Sequence, residues 1–407
     1  MAIFDNRAVS PLDAHELRPC WLDVDLDAVA ANVRAVSRLV GTDTRICAVV
    51  KADAYGLGAV EVARTSLAAG AERLAVARVE EAVRLRRAGI RSPILLIAGF
   101  VPGEAETIVR ERLTPTVVQA NDALALARVA GRLGEILDVH VKVDTGLTRY
   151  GAPPAEVPGL VRLLRSLPTV RLEGMYSHFA GADDEDRSFT EEQLHRLYEV
   201  IATVERLDDS GWRPPIVHAA NSAAALREPT AWLHMVRLGI ALSGHYPSAH
   251  VPRSVALQPA VALRGPLLTV RDVTAGTSVG YSRTFVTDRA TRVGLVPAGY
   301  ADGVPRSHSN RSVALVGGQR VPVIGRVSMD QCVVDLTETP WAVPGDVVTL
   351  LGSDAGGEIT LDEYASWSDT IVHEALCRIG PRVPRRYRAG SRSWWGSQTE
   401  TLTGAVR

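Results

Sequence analysis

The chain has 407 residues, of which 46% are hydrophobic and 22% charged, values typical of a soluble globular protein large enough for two domains. Its 45 Lys and Arg residues nearly balance 46 Asp and Glu, so no overall charge recruits nucleic acid or an anionic membrane. Cys20, Cys47, Cys332 and Cys377 lie far apart without a CxxC pair, which argues against a disulfide framework or a structural zinc site. Without an apolar leader or membrane-length segment, we expect a cytoplasmic protein.

Between residues 45 and 240 the sequence alternates between short apolar segments and helical ones. The eight strand candidates lie at 46–51, 74–77, 94–98, 114–118, 137–144, 171–178, 216–220 and 235–242. The intervening stretches space their apolar residues helically, as in "VEEAVRLRRAGI", where Gly89 ends the pattern. Eight strands alternating with helices predict a (β/α)8 TIM-type barrel, because a doubly wound sheet uses fewer strands and no GxGxxG follows the first one.

After about residue 255 the residue pattern changes. Short segments of alternating apolar and polar residues, separated by Gly, Pro and Asp turns, predict an all-β domain. We therefore expect the α/β barrel at 21–254 and the C-terminal β-domain at 255–390. Residues 1–20 are expected to form an N-terminal segment associated with the β-domain, and 391–407 a frayed polar tail.

Side chains at the C-terminal ends of barrel strands converge on one site. Here those ends carry Lys51, Tyr55, Lys142, Asp144, Arg149, His178, His218, Asn221, Ser222, Arg237, Gly239 and Ile240. Their spacing predicts no metal site. Lys51 alone could be a strand-end lysine that reaches solvent, but an amine among cations and small residues suits an anionic cofactor with a carbonyl. Lys51 could form a Schiff base, and "ANSAA" and "RLGIA" could bind a phosphate, which points to pyridoxal phosphate (PLP).

Eight segments carry a family resemblance. "AVVKADAYGLG", "KVDTGLTRYG", "YSHFAGAD", "HAANSAA", "VRLGIA", "VGYSRTF", "GYADG" and "GRVSMDQ" resemble, in the same order, the signature segments of bacterial alanine racemases. The resemblance implies a PLP-dependent isomerase that interconverts L- and D-alanine as a homodimer with composite sites. The D-amino acid could serve cell-wall synthesis or a specialised pathway. The alternatives are a PLP barrel decarboxylase, an aldolase, which would need a metal site, and a PLP carrier without activity.

The resemblance also implies residue roles. Lys51 would carry PLP and act as one base, and Tyr281 of the partner subunit would act as the other. The implied cofactor-binding residues are Tyr55, His178, Asn221, Ser222, Arg237, Gly239, Ile240 and His373. Arg149 and the Met329 N–H would bind the substrate carboxylate, Lys142 stands where the family often carries a carbamylated lysine, and Asp330 and Tyr300 complete the substrate site. Positive charge on His178 and Arg237 would lower the pKa of Tyr281.

Three positions depart from the family pattern. His373 and Ser243 stand where tyrosine is usual or common, and Ala98 where a larger or acidic residue is common. Changes of this size in a pocket wall are worth about 1–3 kcal/mol each. We therefore expect alanine activity to persist with broader specificity, with serine as a candidate substrate.

Overall fold

The computed structural model describes residues 20–207 and 212–396, which divide into two units. Leu26–Ala260 forms a barrel unit, and the described residues before 26 and after 260 form a β unit. The first strand of the chain, β1 (Trp21–Asp25), belongs to the β unit. In the described part of the chain, no helix is both long and apolar enough to cross a membrane.

The barrel unit alternates strands with helices. In chain order its elements are α1 (Leu26–Val40), β2 (Arg45–Val49), α2 (Lys51–Tyr55), α3 (Ala59–Ala68), β3 (Arg73–Val76), α4 (Val79–Arg87), β4 (Ile94–Leu96), α5 (Ala105–Arg110), β5 (Thr114–Val117), α6 (Ala120–Leu133), β6 (Leu137–Lys142), α7 (Val157–Ser166), β7 (Val170–Tyr176), α8 (Ser188–Glu205), β8 (Ile216–His218), α9 (Ser222–Arg227) and β9 (Met235–Leu238). Short 3₁₀ helices lie at Pro102–Glu104, Pro154–Glu156, Pro229–Ala231 and Ile240–Ser243.

All eight predicted barrel strands are present and run parallel, in the order β8-β7-β6-β5-β4-β3-β2-β9. The two ends of this sheet meet. The His234 N–H donates to the Val217 carbonyl, and the Arg237 N–H donates to the Ala220 carbonyl, both at 3.0 Å. The sheet is therefore a nearly closed eight-stranded barrel, as predicted.

Helix α1 takes the place of the helix missing after β9, because β9 leads only into the 3₁₀ helix Ile240–Ser243. It packs against α3, α9 and that 3₁₀ helix. The buried Asn32 amide of α1 donates to the carbonyls of Leu242 (3.2 Å) and Gln258 (2.9 Å), and its oxygen accepts the Gln258 N–H (2.7 Å). These bonds tie the first helix to the end of the barrel.

The β unit contains one large sheet and two short helices. Its further elements are β10 (Val261–Pro266), β11 (Thr269–Val273), β12 (Ser278–Val279), β13 (Phe285–Val286), β14 (Thr291–Val296), β15 (Val313–Val316), β16 (Gln319–Ile324), β17 (Cys332–Asp335), β18 (Val347–Asp354), β19 (Gly357–Ile359), α10 (Leu361–Ser366), α11 (Val372–Cys377), β20 (Arg385–Ala389) and β21 (Arg392–Trp395). The sheet order is β11-β14-β17-β16-β15-β18-β10-β1-β20-β21, with β19 on β18 and a separate β12-β13 hairpin. Turns of 3₁₀ helix lie at Tyr281–Arg283, Tyr300–Asp302 and Arg306–His308.

The barrel unit begins at Leu26 and not at residue 21, where the sequence analysis placed it. Strand β1 pairs antiparallel with β10 and parallel with β20. Its buried Asp23 carboxylate accepts hydrogen bonds from Arg264 and from Arg386, the latter at 2.9 Å. Because β1 ends at Asp25 and α1 begins at the next residue, no turn in the sequence marks this boundary.

The C-terminal end of the β unit extends beyond the predicted limit of 390. Gly390, at φ 56°, makes the turn between β20 and β21, and the rings of Tyr387 and Trp394 pack with centroids 5.9 Å apart. The first part of the expected tail is therefore a strand. It is held in place because its tryptophans pack on aromatic and arginine side chains of β20. The remainder of the expected tail (397–407) and the expected N-terminal segment, apart from Cys20, lie outside the described residues.

Candidate active site

Lys51 follows β2 and opens a left-handed turn. Residues 52–55 have φ between 51° and 58°, a conformation that costs a residue with a Cβ about 1–2 kcal/mol. One local and one long-range hydrogen bond hold this turn: the Asp53 carboxylate accepts the Ala59 N–H (2.9 Å), and Glu81 of α4 accepts the Ala52 N–H (2.6 Å). The turn directs Lys51 and Tyr55 to the same side, with the Lys51 Nζ 6.0 Å from the Tyr55 ring centroid.

Tyr55, Ser222 and Gly239 form a small polar cradle beside this turn. The buried Ser222 Oγ accepts the N–H groups of Gly239 (3.0 Å) and Ala241 (3.4 Å). A Cβ on Gly239 would lie 2.2 Å from the Tyr55 Oη, so a larger residue there would displace the Tyr55 side chain. Hydroxyl and backbone N–H groups around a position without a side chain suit a phosphate. Ile240 begins the 3₁₀ helix that continues this loop.

Asn221 has a local structural role at the start of α9. Its side-chain oxygen accepts the Ala224 N–H at 3.0 Å, which is the hydrogen bond of an N-cap. This bond holds the Asn221 side chain against the backbone of α9. It also fixes the start of the helix that carries Ser222.

Arg237 is buried and makes hydrogen bonds with two histidines. Its guanidinium donates to the Nδ1 of His218 (2.7 Å) and of His178 (3.0 Å), and to the carbonyls of Ser177 and Ala219 (both 3.0 Å). Because a guanidinium only donates, both Nδ1 atoms must be acceptors, and both rings are neutral with hydrogen on Nε2. Burial, followed by the charge of Arg237, lowers the pKa of both histidines well below the usual range.

The neutral state of His178 corrects one expectation from the sequence. His178 was expected to share with Arg237 the positive charge that lowers the pKa of Tyr281. A histidine that accepts a hydrogen bond from Arg237 carries no charge, so it cannot do so. The cations that act on His178 are Arg237, Lys142, Arg149 and Lys51.

Lys142 ends β6 and is buried next to other cations. Its Nζ lies 5.6 Å from the Tyr176 ring centroid and 5.7 Å from that of Tyr150. Burial, and then the charges of Arg237 and Arg149, lower its pKa to about 8. Arg149 lies on the following loop, in which the Asp144 carboxylate accepts the N–H groups of Gly146 and Thr148, both at 3.0 Å.

In the β unit, Tyr281 lies in the turn between β12 and β13. Gly280 before it has φ 72°, and a Cβ there would be 2.9 Å from the Arg326 nitrogen, so the turn packs closely on the segment after β16. The Tyr281 side chain is 70% exposed. The backbone of this turn is therefore closely packed, while most of the tyrosine side chain is exposed in the single chain.

Tyr300, Met329 and Asp330 lie together in the same unit. The Tyr300 N–H donates to the Ser328 carbonyl and the Ala301 N–H to that of Met329, both at 3.0 Å. Arg382 joins the two segments: its guanidinium donates to Asp302 (2.6 and 3.0 Å) and to Asp330 (2.7 Å). Arg382 was not assigned a role from the sequence.

The three positions that depart from the family pattern have different surroundings. His373 is the second residue of α11 and is partly buried. Ser243 is buried, and its hydroxyl bonds the Ile240 carbonyl (2.7 Å) and His245 Nδ1 (3.0 Å), so it supports the loop that follows Gly239. Ala98 lies just after β4 and is partly exposed.

Sequence reasoning missed a set of polar residues inside the barrel: Arg73, His140, Glu173 and Tyr176, which connect to His218. His140 and Glu173 lie within β6 and β7, and Arg73 begins β3, so these three are away from the C-terminal strand ends that predict the site; Tyr176 is the last residue of β7. The signal available was a histidine and a carboxylate inside otherwise apolar strands. Among the described residues, no group of three or more His, Cys, Asp or Glu side chains could hold a metal ion.

Comparison with known proteins gives matches over both units. Residues 24–247 match the model of the alanine racemase N-terminal domain, and residues 260–387 match that of the alanine racemase C-terminal domain. An alanine racemase of Symbiobacterium thermophilum is 44% identical over 376 residues, which cover 92% of this chain and 99% of that protein.

Solved structures agree with this assignment. The alanine racemase from D-cycloserine-producing Streptomyces lavendulae has a TM-score of 0.86 at 38% identity, covering 91% of this chain and 97% of that one. The alanine racemase from Bartonella henselae, solved with covalently bound pyridoxal phosphate, has a TM-score of 0.81 at 29% identity, covering 91% and 100%. The resemblance in the sequence motifs is thus confirmed, and the chain belongs to the alanine racemase family of PLP-dependent isomerases.

Proposed function

We propose that the protein interconverts L- and D-alanine, with Lys51 and Tyr281 as the two proton-transferring bases. The observation that carries this proposal is the end of the first barrel strand. There the amine of Lys51 lies beside Tyr55, whose hydroxyl lies close to Gly239, only 2.2 Å from where a Cβ on that residue would be. This is the arrangement expected where a lysine holds a phosphorylated aldehyde.

The residues of the barrel mouth would hold PLP at both of its ends. Tyr55, Ser222, Gly239 and Ile240 would bind the phosphate, and Arg237 would donate to the ring nitrogen. When bound, PLP supplies the electron sink that makes the α-proton of the amino acid acidic. Because the Arg237 guanidinium does not release a proton in proteins, it would donate a hydrogen bond to the ring nitrogen without protonating it, which would favour brief deprotonation over transamination. His178, Asn221 and His373 complete the cofactor-binding set that the family implies.

Racemisation requires proton transfer on both faces of the α-carbon. Lys51 would remove or return the proton of the D-enantiomer, and Tyr281 that of the L-enantiomer. A phenol is a poor base at neutral pH. Because His178 is neutral, the positive charge that assists Tyr281 would come from Arg237 and the neighbouring cations.

Arg149 and the Met329 N–H would bind the substrate carboxylate, with Asp330 and Tyr300 completing that site. We also propose that Lys142 is carbamylated and orients Arg149. Carbon dioxide reacts with a neutral amine, and a pKa of about 8 gives Lys142 a much larger neutral fraction at neutral pH than an ordinary lysine has. A carbamate would replace a buried positive charge by a negative one between Arg149 and Arg237.

We propose a homodimer in which each site contains residues of both subunits. Tyr281, Met329 and Tyr300 expose 70%, 52% and 43% of their surface in the single chain. A site that transfers protons must exclude water, and side chains this exposed need a cover that a second copy would supply. A cytoplasmic location and the supply of D-alanine for cell-wall synthesis are part of the same proposal.

A racemase of broader specificity, acting also on serine, is the second candidate. The observation that favours it is the pair of smaller residues, Ala98 and His373, at positions where the family usually has bulk. Both are partly exposed at the surface of their units, so they are accessible to a ligand. Histidine can also donate a hydrogen bond to a substrate hydroxyl.

The test is α-deuterium incorporation from heavy water across a panel of L- and D-amino acids. Exchange with inversion for alanine supports the proposal, and comparable exchange for serine supports the broader one. Release of carbon dioxide or an aldehyde without inversion would refute both. Lys51→Ala should remove the absorption band of lysine-bound PLP, whereas Lys142→Ala should keep it.

A further inference from the structure

A chain of hydrogen-bonded side chains runs through the interior of the barrel from Arg237 to Arg73. Arg237 donates to His218 Nδ1 (2.7 Å), His218 Nε2 contacts His140 Nδ1 (2.9 Å), and His140 Nε2 contacts the Glu173 carboxylate (3.2 Å). Arg73 closes the chain by a two-pronged ion pair with Glu173, one bond of which measures 2.8 Å. Arg73 begins β3, so the chain ends at the opposite side of the barrel from the cofactor cradle.

The two ends of the chain fix the position of every hydrogen in it. Arg237 can only donate, so His218 Nδ1 is an acceptor and the His218 hydrogen lies on Nε2. That hydrogen points to His140 Nδ1, which places the His140 hydrogen on Nε2, facing Glu173. The carboxylate can only accept, because it is ionised in its ion pair with Arg73: burial raises its pKa, but hydrogen bonds and charge from His140 and Arg73 outweigh burial and lower the pKa to about 2. Both histidines are therefore neutral, and each has a single tautomer.

The backbone and packing around the chain accommodate these rings closely. A Cβ on Gly174 would lie 2.5 Å from the His140 ring, and the pairing of β6 with β7 shifts register between Val139 and His140. Tyr176 stacks on His218 with centroids 4.6 Å apart and planes 6° apart. Both histidine side chains are fully buried. Such a buried polar network is costly unless every member is satisfied, and here each one is.

We propose that His140 and Glu173 are positioning residues that hold His218 in its Nε2–H tautomer, and thereby hold Arg237 in place as the donor to the PLP ring nitrogen. If Glu173 could donate, His140 could reverse, and His218 would then place a hydrogen against Arg237. The guanidinium would have to move or lose that partner. The role toward PLP rests on the proposed function, whereas the tautomers are a property of the protein alone.

The test measures histidine tautomers by ¹⁵N NMR in the PLP-free and the PLP-bound protein. The wild type should show protonated Nε2 and unprotonated Nδ1 for His140 and His218 in both forms. A hydrogen on His218 Nδ1 would overturn the proposal without any variant. Glu173→Gln, whose amide can donate, should convert His218 to a mixture of tautomers, whereas Glu72→Gln, at a surface ion pair with Arg45, should not.

Kinetics then separate positioning from general destabilisation. Glu173→Gln should lower kcat about tenfold for both enantiomers with little change in KM, a loss of one hydrogen bond's worth of free energy. Gly174→Ala displaces the His140 ring while keeping all hydrogen-bonding groups, and it should also lower kcat for both enantiomers with little change in KM. Unchanged kcat together with unchanged tautomers in both variants would overturn the proposal. If the wild type fails to racemise alanine, the proposed function fails, and the NMR result still decides the hydrogen-bond chain.

Discussion

Gly239→Ala is expected to weaken PLP binding through Tyr55. The added Cβ would lie 2.2 Å from the Tyr55 Oη and 2.9 Å from its Cζ, whereas ordinary contacts begin near 3.4 Å. The hydroxyl must therefore move by about 1.2 Å or more. Tyr55 has little room to do so, because its backbone is held at φ 58° in the left-handed turn and its ring packs against the barrel core.

The size of the effect follows from the two interactions that suffer. Overpacking of this kind costs about 1–3 kcal/mol in stability. Loss of a hydrogen bond to a charged phosphate costs about 1.5–3 kcal/mol in binding. At 1.4 kcal/mol per factor of ten, the Kd for PLP should rise about 10- to 100-fold. Because Tyr55 is assigned to the phosphate and not to proton transfer, kcat at saturating PLP should fall much less.

The assay titrates the PLP-free protein with PLP and monitors binding through the quenching of tryptophan fluorescence. Gly159→Ala in α7 is the control, since a Cβ there has nothing within 4 Å and alanine favours a helix. Adding Gly239→Ala to Tyr55→Phe should reduce PLP affinity less than adding Gly239→Ala to the wild type, because phenylalanine lacks the Oη atom that the new Cβ would meet at 2.2 Å. Wild-type affinity in Gly239→Ala would refute the assignment of this cradle.

Three further predictions concern other parts of the proposed site. Tyr281→Phe should suppress α-proton exchange of L-alanine much more than that of D-alanine in deuterium-exchange NMR, and equal losses would contradict the two-base assignment. In carbon dioxide-free buffer, the free energy of unfolding should rise with pH between about 8 and 10.5, because in this range the unfolded chain still binds a proton that Lys142 has released in the folded chain. Lys142→Met should abolish this rise. With ¹³C-labelled carbon dioxide, a carbamate signal should appear in the wild type and not in Lys142→Met. Arg382→Ala should lower the stability of the β unit by about 1–3 kcal/mol in urea unfolding, because the buried Asp302 carboxylate loses its ion pair and is left with the Gly299 N–H as a donor. Arg289→Ala at an exposed ion pair should cost under about 0.5 kcal/mol. Equal effects would show that Arg382 is not a structural link.

Much of the barrel could be predicted from the sequence because parallel strands are buried on both faces and appear as continuous apolar runs. The start of the barrel could not, because β1 and α1 adjoin without a turn, and only the pairing of β1 with β10 and β20 assigns it to the β unit. The left-handed turn after Lys51 was also beyond sequence reasoning. Its residues 52–55 contain no glycine, and the contacts that hold them come from elsewhere in the chain.

The candidate site could be predicted in part for a similar reason. A strand-end rule finds Lys51, Ser222 and Arg237, because topology alone brings such residues together. It cannot find His140 or Glu173, which act from within strands. It also cannot assign the charge of a histidine, because that depends on which atom faces each nitrogen.

The charge state of the histidines explains why this site needs anions. With His178 neutral, Lys51, Lys142, Arg149 and Arg237 are the cations that act on one another at the barrel mouth, and Asp144 is the carboxylate that opposes them at Lys142. The phosphate of PLP, the carboxylate of the substrate and a carbamate on Lys142 would each bring negative charge into this cluster. Lys142 and Arg237 are both buried, and of the two only the lysine, with a pKa lowered to about 8, can readily give up its charge. The proposed carbamate on Lys142 and the carboxylate of the substrate would both offset this positive charge.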